Sequence, residues 1–125
     1  MYAKFGISFL NHIKGMYAFA LFDKRTNKVY IFRDKFGIKP LFYFVKSDFL
    51  IFASEIKVLL KNKIVRDSID VDCNKAIEFI AYRQLNGSSS SLIKNIKILN
   101  PGNFIEYDLK TKKSRICQFD FNENQ

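Results

Sequence analysis

The sequence predicts an α+β domain built mainly from antiparallel strands. Three features carry that expectation. Short apolar runs alternate with polar turns, and separate segments carry apolar residues at helical spacing. Fourteen Phe and six Tyr, with no Trp, weight the composition toward strand. The chain has 125 residues and is 48% apolar. That suffices for one domain at most, with a core hiding about 65% of the surface the unfolded chain would expose.

Taken in order, Phe5, Phe9 and Ile13 fall at helical spacing with Leu10 beside them, so residues 5–14 predict the end of a helix that Gly15 breaks. Residues 16–22 are nearly all apolar or small, the pattern of a strand covered on both faces. Asp23-Lys24-Arg25-Thr26-Asn27-Lys28 is a turn, and residues 29–32 resume as a strand to complete a hairpin. A second hairpin joins 41–45 to 49–53 through Lys46-Ser47-Asp48. Ser54 is placed to cap a short helix reaching Leu60, with Glu55 near its positive end. Asp70 or Asp72 can cap a longer helix to about Leu85, with Ala76, Ile77, Ile80 and Ala81 as its apolar stripe. Residues 86–91, Asn-Gly followed by serines, read as a flexible loop rather than a domain boundary. A strand at 96–99 and a hairpin joining 103–107 to 114–119 still have to pack beyond it.

The net charge of +9 raises the possibility of nucleic-acid binding through counterion release. The basic residues are instead spread along the chain, often at turns such as Lys24-Arg25 and 110–113, where a solvated loop explains them. No run approaches the roughly 18 apolar residues of a membrane span, and the first residues do not form a signal peptide, so a cytoplasmic location is expected. Cys73 and Cys117 are expected to be separate reduced thiols.

Candidate chemistry is sparse. Arg33 and Asp34 leave a strand and enter a turn in which Gly37 supplies a positive φ and Pro40 fixes the re-entry. Such a pair could bind a carboxylate, but tying the turn to its neighbours is the preferred reading. Ser54 and Glu55 read as cap and dipole partner, since no second carboxylate is placed to work with Glu55 as acid and base. His12 is the one histidine, and nothing in the spacing pairs it with Cys73 or Cys117. One His and two scattered Cys give no metal-site spacing either.

Four ordered blocks carry a family resemblance. They are Gly15-Met16-Tyr17-Ala18-Phe19-Ala20-Leu21-Phe22-Asp23, Arg33 through Tyr43, Phe52-Ala53-Ser54-Glu55-Ile56-Lys57-Val58-Leu59-Leu60, and Leu99-Asn100-Pro101-Gly102. Together these resemble the later half of the glutaminase domain of glutamine-hydrolysing asparagine synthetase, a class II glutamine amidotransferase of the N-terminal-nucleophile type. The resemblance runs from about residue 9 to about residue 119. It implies that the chain forms part of the four-layer αββα sandwich of those enzymes. It also implies glutamine hydrolysis that delivers ammonia to an ATP-activated aspartate.

The family's nucleophilic cysteine, glutamine-pocket arginine, Asn-Gly oxyanion pair and Gly-Ser-Asp segment match nothing here. An N-terminal nucleophile uses its own α-amino group as base, so Cys73 and Cys117 cannot substitute. The resemblance therefore implies that residues 1–125 are a partial amidotransferase domain lacking its first half and the synthetase domain, silent alone and without catalytic or metal-binding residues of its own. ATP and Mg would serve the missing domain. Partners would be the missing glutaminase half or a synthetase domain, with glutamine bound only by the complete enzyme, and with no nucleic acid or membrane involved. The alternative is a non-catalytic subunit or the complementing half of a split amidotransferase, with a basic nucleic-acid binder less favoured. Met16 matches a methionine that in the family faces the ammonia passage, where an apolar lining disfavours protonation of NH3; core filler is the competing reading.

Overall fold

The computed structural model describes residues 1–82 and 91–120. Four layers stack in the order helix, sheet, sheet, helix. The first sheet has strand order β1-β2-β6-β7, from Ala18–Asp23, Lys28–Arg33, Asn103–Asp108 and Lys113–Gln118. The second has order β4-β3-β5, from Phe49–Ala53, Phe42–Lys46 and Ile96–Ile98. Every pairing is antiparallel. The chain is therefore an α+β fold, as the sequence predicts.

Strand alternation distributes the core among three clusters. Ile31 of β2 and Ile105 of β6 face Tyr43 of β3, with Leu41 and Leu99, and this cluster joins the two sheets. On the other face of the first sheet, Tyr30, Phe32 and Phe104 meet Phe9 and Leu10 from the N-terminal helical layer. On the other face of the second sheet, Phe44 and Ile96 meet Leu59 and Val65 from two short helices. Complete burial of such side chains contributes about 1.5–3 kcal/mol each.

Several elements differ from expectation. The predicted helix at 5–14 is one turn of α-helix, α1 (Tyr2–Phe5), followed by a 3-10 segment, Gly6–His12. Gly6 at φ +57° ends the α-helix before Phe9 and Leu10 dock. The strand predicted to be covered on both faces is an edge strand, and its Ala20 and Phe22 are exposed.

Ser54 does not cap the following helix. The helix α2 (Ile56–Leu59) has Glu55 at its N-cap with no side-chain cap bond, and Glu55 pairs with Lys57 at 2.6 Å instead. A further helix, α3 (Lys63–Arg66), follows, capped by Asn62 through the Ile64 amide at 2.9 Å. Of the two candidate caps for the longer helix, α4 (Cys73–Tyr82), Asp72 accepts from the Lys75 amide at 3.2 Å, while Asp70 pairs with Lys94. The stripe proposed for α4 is not core: Ile77 and Ile80 are 66% and 79% exposed, and the helix buries no residue. Its predicted end at Leu85 and loop residues 86–90 lie outside the described residues, whereas Ser91 is buried, with its hydroxyl bonded to the Ile96 carbonyl.

Candidate functional site: a corner joining two motif blocks

The turn after β2 is held by two side chains that point in different directions. Asp34 is buried, and its carboxylate accepts from the amides of Phe36, Ile38 and Lys39 at 3.1, 3.0 and 3.0 Å. Burial alone would raise the Asp34 pKa, but these amides and that of Tyr17 outweigh it and hold the carboxyl below its usual range. Its backbone is equally engaged. The Asp34 amide donates to the Tyr17 carbonyl, and the Asp34 carbonyl accepts from Gly37 and Gly102.

Arg33 spans the same loop from outside. Its Nε donates to the Lys39 carbonyl at 2.9 Å, one Nη to the Gly37 carbonyl at 2.7 Å, and the other Nη to the Leu99 carbonyl. Burial pulls the Arg33 pKa down, while the neighbouring Asp34 charge pushes it up. Gly37 sits at φ +65°, and a Cβ there would come within 2.6 Å of Pro101 Cγ and 3.1 Å of the Arg33 guanidinium carbon. Pro40 is exposed and leads directly into the buried Leu41.

The blocks at 33–40 and 99–102 thus form a single corner, although Arg33 and Leu99 stand 66 residues apart in the chain. No residue-spacing signal foretold that union, and Tyr17, Leu99 and Gly102 act through backbone atoms, to which side-chain motifs are blind. The corner's two charged side chains are spent on backbone, although the Tyr17 hydroxyl and Asn100 Oδ1 within it are buried without a hydrogen-bond partner. The Arg33 donors and Asp34 acceptors all point at the protein's own backbone, which suits positioning rather than substrate binding.

Other candidate residues lie apart. Met16 is 58% exposed, directly before Tyr17. His12 packs its ring on Phe5, with centroids 4.8 Å apart. Cys117 is half-buried beside the aromatic cluster of the first sheet, and Cys73 is exposed at the start of α4. Asp23, at the end of β1, accepts from the Tyr2 hydroxyl and the Arg25 amide, each at 2.9 Å. Burial works against its charge, yet these bonds and the Arg25 guanidinium bring its pKa down to about 2. A groove of about 420 Å³ runs between β5 and β7, lined by Tyr43, Lys94, Lys97, Asn103 and Ile116 among others. Among the described residues no three His, Cys, Asp or Glu side chains converge on a metal position, and no helix is long and apolar enough to cross a membrane.

Comparison with known proteins gives these features a lineage. The family described as a glutamine amidotransferase domain matches residues 1–119. A Bacillus subtilis glutamine-hydrolysing asparagine synthetase 2 is 35% identical over 95% of this chain, which spans 16% of that relative's length. Asparagine synthetase 3 of the same organism is 28% identical over 78% of the chain and 16% of its own. Amidase chry2 of Gibberella zeae is 40% identical over 48% of the chain and 9% of its own. The chain belongs to the glutamine amidotransferase domain family, in the form carried by glutamine-hydrolysing asparagine synthetases.

Proposed function

We propose that this chain is the scaffold portion of a glutaminase unit that works inside an asparagine synthetase. In the whole enzyme, glutamine is hydrolysed to glutamate, and the ammonia released amidates an ATP-activated aspartate to give asparagine. The observation that supports this most is the corner, where Arg33 and Asp34 spend their polar atoms on backbone groups of both motif blocks. Residues used in that way shape a domain; the chemistry belongs to residues contributed from outside this chain.

In this reading the isolated chain hydrolyses no glutamine. Neither Cys73 nor Cys117 can carry a free α-amino group, which an N-terminal nucleophile needs as its base. Met16, exposed here, becomes one wall of the ammonia passage once a second wall is present. ATP and magnesium bind in the synthetase part of the enzyme, and the setting is the cytoplasm. A second reading, the complementing half of a split amidotransferase, is favoured by the apolar inner faces left open at the side of the sandwich.

The test is glutamate release by purified chain, with Cys73→Ala and Cys117→Ala variants run in parallel. Background-level release from all three supports the scaffold reading. Turnover lost on substituting either cysteine overturns it.

A further inference from the structure

The groove between β5 and β7 differs in chemistry from the apolar interior it adjoins. Its volume of about 420 Å³ continues into a second of about 450 Å³, and the two share Tyr43, Lys94, Lys97 and Ile116. Either volume suits a small organic ligand. Lys97 of β5 pairs with Tyr43 of β3, which puts both on the face turned toward the first sheet. A closed sandwich carries apolar side chains on such a face. Here it carries a cation.

The charges around the groove divide into those already paired and those left over. Lys94 pairs with Asp70 at 3.0 Å, and Arg115 pairs with Glu106 at 3.2 Å. Lys75 and Lys97 also line the groove, and among the described residues neither forms an ion pair. Asn100 adds a neutral acceptor, a buried Oδ1 that has no hydrogen-bond partner among the described residues. A native structure seldom leaves such an atom unpaired, so a donor from outside the chain has a place waiting. Burial pushes the Tyr43 phenol up, which keeps it a hydroxyl able to donate.

We propose that this groove binds a small phosphate monoester of a hydroxylated compound, a ligand of the sugar-phosphate class. Near neutral pH such an ester carries close to two negative charges, which match the two unpaired lysines. Its hydroxyls supply the donor that Asn100 Oδ1 lacks. Inorganic phosphate meets only the first requirement. A dicarboxylic amino acid brings two negative charges as well, but its ammonium would sit among Lys75, Lys94 and Lys97 with Asp72 as the one carboxylate in the lining, and Asp72 Oδ1 already holds the Lys75 amide at 3.2 Å. A neutral hydroxyl donor suits those surroundings better. Glutamine hydrolysis plays no part in this binding, so the inference goes beyond the function proposed above.

The test titrates the full chain with ribose phosphate, inorganic phosphate and L-aspartate at physiological ionic strength, with affinity read by calorimetry and location by amide NMR shifts. Ribose phosphate should bind saturably and about tenfold more tightly than either of the others. Its shifts should gather at 94–103 and 114–116. Lys97→Gln should weaken it by about tenfold, and Asn100→Ala should reduce it to the level of inorganic phosphate. Lys24→Gln, which removes the same charge from the β1–β2 turn, should leave binding unchanged. Should a variant misfold, the shift map and ligand ranking of the unsubstituted chain decide the matter. No saturable binding, equal binding of inorganic phosphate, preference for L-aspartate, shifts gathered elsewhere, or equal weakening by Lys24→Gln overturns the site.

Discussion

The corner of Arg33, Asp34 and Gly37 and the side formed by β1 and β4 use apolar and polar groups in opposite ways. In the corner the charged side chains of Arg33 and Asp34 find their partners within this chain. Along β1 and β4 the inner faces present Phe22 and Phe52 to solvent, and among the described residues each strand has one unpaired edge. The corner is complete in itself; the side is complete only against something else. Substitutions should therefore separate: those in the corner cost folding stability, and those at the side cost association.

The largest expected effect is Asp34→Ala, which strips the acceptor from the amides of Phe36, Ile38 and Lys39. At about 1–3 kcal/mol for each buried group left unpaired, the loss reaches several kcal/mol, enough to unfold a domain of this size. Denaturant titration would show it, and Asp34→Asn, which keeps one acceptor oxygen, should lose less. Equal, small losses for both would show that the carboxylate does not organise the loop.

Gly37→Val comes next. Its φ of +65° disfavours a β-branched side chain by roughly 1–3 kcal/mol, and the 2.6 Å approach of an added Cβ to Pro101 Cγ adds to that. In an enzyme that also carries the upstream stretch and a synthetase domain, glutamine-dependent synthesis should fall much further than synthesis from added ammonia. Parallel loss of both would move the corner's influence from the glutaminase scaffold to the whole enzyme.

Acid should weaken the corner through Asp34 and the first sheet through Asp23 and Glu106. The pKa values of Asp34, Asp23 and Glu106 are all lowered in the folded chain. The unfolded state, with carboxyl pKa values near 4, then binds more protons, so their stabilisation is complete above about pH 5. It fades as pH falls through the folded values, about 2 for Asp23. Melting temperature should be flat near neutrality and drop below about pH 4; a drop that begins near pH 6 would implicate other groups.

The smallest effect on stability is expected at the side itself. Phe22→Lys, on a half-exposed edge residue, should shift stability by no more than about 0.5 kcal/mol while reducing binding of a hydrophobic dye, which the unsubstituted chain should bind strongly. Weak dye binding by the unsubstituted chain would mean that the exposed phenylalanines do not act as a patch.

The hairpins were legible because local chemistry writes them. Asn27, Ser47 and Lys112 take positive φ in the three tight turns, and the runs around them alternate as strands do. The open face of β1 was not, because Ala-Phe-Ala-Leu-Phe reads the same whether its cover comes from this chain or another. The α4 stripe misled for the same reason: periodicity reports a preference for burial, and the described partners do not provide it. In the corner, Arg33, Asp34 and Gly37 stood out by residue type, but their union with Pro101 and Gly102 depends on tertiary contacts that no local pattern encodes.

That long reach has a consequence during synthesis. The bonds from Asp34 to the next few residues can form as soon as the turn leaves the ribosome, but Arg33 finds the Leu99 carbonyl 66 residues later, roughly 3–13 s at ordinary elongation rates. Through that interval β2 has only β1 beside it, and its other edge waits for β6. A nascent chain of this protein therefore carries two separate hairpins, β1–β2 and β3–β4, and a preformed turn between them until β6 pairs with β2 and Pro101 seats against Gly37.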